Sequence, residues 1–211
     1  MGSVLKLNQK RVATPIVERT ADVLRAGGVI LYPTETLYGL GCDARNTIAI
    51  ERIVGIKQRP GDKPFLVLAH NTKMVWEYVE DIPAMGLRLI DAFWPGPLTV
   101  LLPAKKGMSK FLVGENGKIG FRVPSHTFCR KLLATYRAPI VSTSANLSGE
   151  VESSSMEGLT KRFRDSVDLV VDAGELQSTM PSTVVDVSEK GWKIIREGRI
   201  SRNEIEKAVH R

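Results

Sequence analysis

The sequence lacks the features expected of a secreted or membrane-spanning protein. No apolar run approaches the twenty or so residues that cross a bilayer, and the first residues lack the apolar segment of a signal peptide. Its two cysteines, Cys42 and Cys129, are too few for a disulfide framework and lie outside any metal-ligand spacing, so both are predicted to be buried thiols. We therefore expect a cytoplasmic protein with no membrane partner.

The sequence also lacks the short motifs of several enzyme classes. It contains no Gly-x-x-x-x-Gly-Lys-Ser/Thr phosphate loop, no Gly-x-Gly-x-x-Gly segment, no Gly-x-Ser-x-Gly turn and no His-Glu-x-x-His zinc motif. The three histidines, His70, His126 and His210, are scattered and have no obvious ligand partners. We therefore expect neither a protein-held metal site nor a tightly bound cofactor.

Positive charge is in modest excess. The 211 residues include 30 Lys and Arg against 23 Asp and Glu, which gives a formal net charge of +7. This excess favours anionic partners, but it is equally compatible with a phosphate-rich small substrate, with RNA or with a merely soluble surface. The length and the 43% hydrophobic content are those of an ordinary globular protein, and we expect one domain over residues 1–211.

Regularly spaced Pro and Gly separate helix-like from strand-like stretches, a pattern typical of α/β proteins. Helix caps are predicted at Thr14, Asn46 and Ser125, and a capping box of Ser201 and Glu204 opens the last helix. Further helices are predicted near 71–79 and 83–93, and strands at 29–32, 65–68, 98–102, 119–123, 139–142, 169–171, 183–187 and 192–196. Because residues 188–191 indicate a hairpin turn, the sheet is predicted to be mixed.

Hydroxyl-bearing side chains follow two of the predicted strands. Residues 32–41 read Tyr-Pro-Thr-Glu-Thr-Leu-Tyr-Gly-Leu-Gly, in which hydroxyls precede glycines that let the backbone approach a ligand closely. In an extended chain, Ser142, Ser144 and Asn146 share one face and form a row of neutral hydrogen-bonding groups at a strand end. A plain turn also explains the first segment, and capping or turn formation the second.

Basic residues flank the proline at position 60. Pro60 disfavours a helical conformation for Arg59, and residues two apart in an extended chain face the same way. Lys57 and Arg59 can then converge on one anion, with Lys63 nearby, and a point charge beside a planar fork suits a polyphosphate. A solvated loop is the alternative interpretation.

Two more arginines interrupt apolar strands. Arg122 and Arg196 both lie in predicted strands, and Ser182 directly precedes another strand. Arginine rarely stays in such a place without an anionic partner. A bound ligand and a structural ion pair both satisfy this requirement.

Six segments resemble, in order, the successive motifs of the YrdC family. They are residues 32–41, Lys57-x-Arg59-Pro60, 93–99, 122–124, 144–149 and 182–184. The resemblance runs from about residue 15 to about residue 200. It implies a single-domain YrdC-like fold: a twisted mixed sheet flanked by helices, with a concave basic cavity.

The resemblance also implies a reaction. Enzymes of this family condense L-threonine, bicarbonate and ATP into threonylcarbamoyl-adenylate and pyrophosphate, and we expect Mg²⁺ to accompany the ATP. The product feeds the modification of adenosine 37 in tRNA, here through separate transfer proteins. Carried over by motif, the nucleotide-binding residues would be Lys57, Arg59, Lys63, Ser144, Asn146 and Arg196, with Lys57 and Arg59 neutralising the phosphates. The threonine-binding residues would be Thr34, Thr36, Arg122, Ser142 and Ser182.

Two alternatives stay open. A non-catalytic module of the same fold that binds double-stranded or ribosomal RNA would also use a basic concave surface, although the 6% aromatic content offers no base-stacking motif. A carbamoyl-phosphate-processing relative is the other alternative. Residues 150–156, rich in serine, are our candidate for a lid over the site.

Overall fold

The computed structural model describes residues 2–58, 63–146, 159, 162–176, 180–188 and 190–210. The ten strands of these residues form one sheet in the order β1-β8-β2-β3-β7-β4-β6-β5-β9-β10. In chain order the strands are β1 Ser3–Lys6, β2 Ile30–Tyr32, β3 Gly39–Asp43, β4 Leu66–Leu68, β5 Leu98–Pro103, β6 Lys118–Arg122, β7 Ile140–Ser144, β8 Leu169–Asp172, β9 Thr183–Ser188 and β10 Gly191–Arg196.

Six helices are described around this sheet. They are α1 Thr14–Arg25, α2 Thr47–Lys57, α3 Thr72–Trp76, α4 Ala84–Phe93, α5 Thr127–Tyr136 and α6 Arg202–Val209. The sheet contains both parallel pairs, such as β4 with β6, and antiparallel pairs, such as β3 with β7. The predicted fold class, one twisted mixed sheet flanked by helices, is therefore confirmed. None of the described helices is long and apolar enough to cross a membrane.

Two hydrophobic cores cover the two faces of the sheet. One face packs on α2, α4 and α6 through buried residues such as Ile53, Leu89 and Ile205. The other face packs on α1 and α5 through Leu24, Phe128 and Leu132. Side chains alternate between the two faces of each strand, so every strand contributes to both sides of the sheet.

The second face is only partly covered by helices. The strand residues that pack in the core beneath α1 and α5 include Tyr32 of β2, Val171 of β8, Ile140 of β7 and Leu68 of β4. In β6, Ile119 and Phe121 point into the first core, so the alternation turns Gly120 and Arg122 to the second face. No described helix covers this face over β6, β5 and β9. The floor of a cavity is formed there.

Strand β3 corrects the interpretation of residues 32–41. Its glycines were interpreted as letting the backbone approach a ligand, with a plain turn as the alternative, but Gly39 and Gly41 lie inside β3, between β2 and β7. A Cβ on Gly41 would lie 2.7 Å from Tyr32 Cε1 and 2.8 Å from the Val141 carbonyl oxygen. Close approach of neighbouring side chains and backbone, and not a turn, requires glycine at this position. Strand β1 was also missed.

Helix starts were predicted with mixed success. Asn46 caps α2 by accepting a hydrogen bond from the Ala49 amide, and Ser201 with Glu204 forms the predicted capping box of α6. The caps predicted at Thr14 and Ser125 are wrong. Helix α1 begins one residue earlier than predicted, after Ala13, and α5 begins one residue later, after His126, and neither has a side-chain cap. In α1, Pro15 pre-sets the first turn, so the helix does not depend on a polar cap.

The end of β3 is fixed to α5 by a buried carboxylate. Asp43 accepts hydrogen bonds from Tyr136 Oη at 2.5 Å and from Arg45 Nε at 3.0 Å and Nη2 at 2.8 Å. Burial alone would raise the pKa of Asp43, but the hydrogen bonds from Arg45 and Tyr136 outweigh it and hold the pKa below its usual value. Charged Asp43 therefore stabilises the folded state.

This pKa predicts acid sensitivity. Because the folded pKa lies below the unfolded one, the stabilisation is complete above the ordinary aspartate pKa of about 4 and is lost as pH falls through the lower folded value. We expect Asp43→Asn to cost about 1–3 kcal/mol at pH 7. Urea unfolding from pH 7 to pH 2.5 should then show a smaller acid-induced loss in Asp43→Asn than in wild type. Asp91→Asn, at an exposed position of α4, is the control; equal acid-induced losses in all three proteins would contradict the assignment.

Candidate functional site

A cavity of about 470 Å³, part of it open to solvent, lies on the second face of the sheet. It brings together residues that are up to 162 positions apart in the chain, from Thr34 to Arg196. Seven of the residues singled out in the sequence line it: Thr34, Thr36, Arg122, Ser142, Ser144, Ser182 and Arg196. The lining thus combines hydroxyl groups with two guanidinium groups.

The floor of the cavity is apolar. Leu66 and Leu68 of β4 face it, and Gly120 lies between β4 and β5. A Cβ on Gly120 would lie 2.6 Å from Leu66 Cδ2 and 2.9 Å from Leu101 Cδ2, so only glycine leaves these leucines where they are. A flat apolar floor beside cationic walls suits a ligand that has both a ring and an anionic group.

The threonines after β2 form one wall. Thr34 Oγ1 donates to the Leu37 carbonyl oxygen at 2.7 Å and lies 2.9 Å from Thr36 Oγ1. Arg122 Nη1 donates to Thr36 Oγ1 at 3.2 Å, across 86 positions of the chain. This bond holds the guanidinium against the wall, and Arg122 is only 6% exposed.

Glu35 lies behind Arg122, and the sequence analysis missed it. Glu35 Oε1 is 3.7 Å from Arg122 Nε, and the two side chains are 10% and 7% exposed. Among the described residues, neither carboxylate oxygen of Glu35 nor Arg122 Nε has a hydrogen-bond partner, although the Glu35 carbonyl oxygen accepts from Arg199 Nη1 at 2.7 Å. The expected anionic partner of Arg122 is therefore present within the protein, but the contact is an ion pair without a hydrogen bond.

The groups around Glu35 are kept neutral by burial. Burial raises the pKa of the Cys129 thiol well above its usual value, and the Glu35 charge raises it further. Burial lowers the pKa of His126, against the opposing effect of Glu35. Both cysteines are buried and free, as predicted. The Cys129 thiol and the His126 imidazole, whose pKa values the Glu35 charge affects, are thus held in their neutral forms.

The serines of β7 occupy the opposite wall. Tyr32 Oη donates to Ser142 Oγ at 2.9 Å, and burial raises the pKa of Tyr32, so this phenol stays a donor. Ser144 Oγ donates to Asn146 Oδ1 at 2.7 Å. Ser142 and Ser144 line the cavity, whereas Asn146 lies next to it through its bond to Ser144. Tyr32 is a second residue that the sequence analysis did not single out.

Lys57 is buried beside this wall and hydrogen-bonds to the residues at its end. Its ammonium group donates to the Ser144 carbonyl oxygen at 2.5 Å, to the Asn146 carbonyl oxygen at 2.7 Å and to Asn146 Oδ1 at 3.1 Å. The side chain is 2% exposed at the end of α2. These bonds join α2 to the end of β7, 87 positions later in the chain.

Arg196 and Ser182 close the far end. Arg196 Nε and Nη2 donate to the Ser182 carbonyl oxygen at 3.2 and 2.9 Å, and Nη2 also lies 3.1 Å from Ser182 Oγ. Ser182 Oγ lies 3.1 Å from Oγ1 of Thr99, a buried cavity residue that the sequence analysis missed. This network fixes the hydroxyl of Ser182 between two partners.

Several predicted residues fall outside this geometry. Arg59 and the lid candidate 150–156 lie outside the described residues. Lys63 is exposed ahead of β4. Within the part of the chain that the structure describes, no three His, Cys, Asp or Glu side chains converge as metal ligands would. The roles expected of the candidate residues, and the absence of a protein-held metal, stay predictions.

Comparisons with known proteins give a consistent result. The model of the Sua5/YciO/YrdC family, which is described as "Telomere recombination", matches residues 22–198. A threonylcarbamoyl-AMP synthase of Pyrococcus abyssi is 31% identical over 201 residues, which are 95% of this chain and 59% of that protein.

Solved structures agree with this match. The structure of P. abyssi Sua5 complexed with L-threonine superimposes with a TM-score of 0.92 at 30% identity, over 97% of this chain and 60% of that one. The structure of Escherichia coli YciO superimposes with a TM-score of 0.89 at 28% identity, over 97% of this chain and all of that one. The chain thus spans about three fifths of the Pyrococcus proteins that it matches.

Proposed function

The chain belongs to the Sua5/YciO/YrdC family, and from this premise we propose that it is an L-threonylcarbamoyladenylate synthase. It would condense L-threonine, bicarbonate and ATP into threonylcarbamoyl-AMP and pyrophosphate. The observation that carries the proposal is a single cavity with an apolar floor. Arg122 and the hydroxyl groups of threonine and serine side chains line its walls. Such a cavity can hold an amino acid next to a nucleotide.

The proposed reaction does not require a nucleophile from the protein. The threonine amine first adds to the carbon of bicarbonate with loss of water to give a carbamate. A carbamate oxygen then attacks the α-phosphorus of ATP and pyrophosphate leaves, so both reacting groups belong to substrates. The protein supplies alignment and positive charge near the phosphate oxygens. This agrees with the cavity lining, whose polar side chains are those of Arg, Ser, Thr and Tyr. Burial lowers the pKa of His126 and raises the pKa of Cys129, so both side chains are neutral.

The amino-acid end would lie at the Arg122 wall. A guanidinium can bind a carboxylate through two parallel hydrogen bonds, and Thr36 holds Arg122 Nη1 in place. Thr34, Ser142 and Ser182 would offer hydroxyl groups to the remainder of L-threonine. Arg122 is thus the residue from which the orientation of the amino acid is set.

The nucleotide end would lie toward Ser144 and Arg196, with ATP entering as its magnesium complex. Ser144 and Arg196 line the cavity, and we propose that Arg59 adds charge to the triphosphate. For Lys57 we propose an additional role. Its ammonium donates to three oxygens of Ser144 and Asn146, so it orders the wall that the nucleotide meets.

Downstream steps follow from the product. Threonylcarbamoyl-AMP is a mixed anhydride, and separate transfer proteins would pass its threonylcarbamoyl group to adenosine 37 of tRNA. Direct RNA binding by a non-catalytic module is the second candidate function, favoured by the net charge of +7. A cavity of about 470 Å³ supports the compact substrates over a duplex RNA.

The test is pyrophosphate release by the purified chain with each substrate omitted in turn. We expect release only when ATP, L-threonine and bicarbonate are all present, together with a new species of the mass of threonylcarbamoyl-AMP. Release that does not depend on threonine would contradict the proposal. Salt-sensitive RNA affinity without any turnover would favour the binding module.

A further inference from the structure

Glu35 differs from the other buried acidic side chains of the described residues. Asp172, for example, is buried and accepts hydrogen bonds from Lys6 Nζ and from the Gly174 amide. The Glu35 side chain is 10% exposed, and none of the described donors bonds either carboxylate oxygen. A carboxylate without donors is costly to bury, so it does not serve as a structural acceptor. What it gives its surroundings is its charge.

That charge acts on the cavity through Arg122. The charged side chains that line the cavity, among the described residues, are Arg122 and Arg196, and no described acid lines it. Glu35 faces Arg122 Nε at 3.7 Å from behind, while Arg122 Nη1 is held by Thr36 toward the cavity. The carboxylate therefore reduces the positive potential of the wall without occupying any space in the cavity.

We infer that Glu35 is a specificity-determining residue: by offsetting the charge of Arg122 from behind, it makes the cavity select a ligand that carries both a carboxylate and an ammonium group over a ligand that is only an anion. An uncompensated arginine attracts every small anion, including phosphate and sulfate. With Glu35 present, an amino acid still gains the directed hydrogen bonds of the guanidinium. Its ammonium group also meets a wall that is less positive. This inference rests on the proposed function for the identity of the amino acid.

The experiment compares affinities by titration calorimetry of the full chain. The ligands are L-threonine, 3-hydroxybutanoate, which is threonine without its amino group, and inorganic sulfate. Glu35→Gln keeps the shape and removes the charge, and Glu35→Met does the same with an apolar side chain in case the amide disturbs folding. Glu18→Gln removes one charge at an exposed position of α1 and is the matched control.

We expect the preference for threonine over 3-hydroxybutanoate to fall about tenfold in Glu35→Gln, partly through tighter binding of 3-hydroxybutanoate. Sulfate should bind about tenfold tighter to Glu35→Gln than to wild type, and within twofold of wild type to Glu18→Gln. A purely structural role would weaken all three ligands together. Equal preference in Glu35→Gln, Glu35→Met and wild type would overturn the inference.

The sulfate arm separates this inference from the proposed function. If wild type binds sulfate but not threonine, the proposed function fails, and the ratio of sulfate affinities alone decides the role of Glu35. Tighter sulfate binding by Glu35→Gln then supports the charge offset. An unchanged sulfate affinity contradicts it, whatever the threonine affinity is.

Discussion

Replacing Arg122 by alanine should lower kcat/KM for L-threonine by a hundredfold or more. A charge-assisted, two-point contact with a carboxylate is lost, on the order of 3 kcal/mol of binding. The side chain is 6% exposed and already aligned by Thr36, so no flexible surface residue can substitute for it. Threonine-dependent pyrophosphate release at varied threonine concentration measures the effect.

Arg122→Lys is the matched variant, because it keeps the charge and removes the planar fork. We expect the apparent KM for threonine to rise about tenfold while the fold is retained. An unaltered KM in Arg122→Lys would mean that Arg122 contributes only its charge, and recognition through two parallel hydrogen bonds would be the wrong idea.

The same alanine variant should also be less stable. Without Arg122, the Glu35 carboxylate has no other ion-pair partner within 4 Å among the described residues, and leaving a buried charge unpaired costs about 3–5 kcal/mol. Adding Glu35→Gln to Arg122→Ala should therefore restore the free energy of unfolding but not the activity. A double variant as unstable as Arg122→Ala would show that the two charges are not coupled.

The second large effect is expected at Lys57. Lys57→Met keeps the length of the side chain but leaves two carbonyl oxygens and an amide oxygen without the ammonium group, in a site that is 2% exposed. We expect the free energy of unfolding to fall by about 3 kcal/mol, measured by urea titration with an unchanged m-value.

Lys131→Met is the control for this change. Lys131 donates one hydrogen bond, to the Val12 carbonyl oxygen at 3.0 Å, from an exposed position of α5, so its loss should cost under about 1 kcal/mol. If Lys57→Met is as stable as wild type yet inactive, Lys57 acts on the triphosphate and the ordering of the Ser144 wall is not its function.

Alternation along strands predicted part of the cavity lining. Ser142 and Ser144 are two residues apart in β7 and both line the cavity, although Thr143 between them lines it as well. Arg122 was singled out because an arginine in an apolar strand needs an anion, and Glu35 is that anion inside the protein. The sequence around Arg122 indicated that this arginine has an anionic partner, but it did not indicate that the partner is Glu35.

Contacts between distant segments explain what was missed. Lys57 meets Ser144 and Asn146 across almost ninety positions, and no spacing in the sequence shows that its ammonium is already bonded. Glycine is common in turns, but at position 41 glycine is required because Tyr32 and the backbone of the neighbouring strand leave no room for a Cβ atom. Such constraints exist only once the sheet order is known.

The sheet order also has a consequence for synthesis of the chain. Strand β1 pairs with β8, and so does the edge of β2 that does not face β3, so residues 3–6 and one edge of residues 30–32 wait for residues 169–172. A ribosome will have translated most of the polypeptide before this edge can assemble, and closing such long loops is slow. Until then, newly made N-terminal segments expose unpaired strand edges, to which strands of other chains can add.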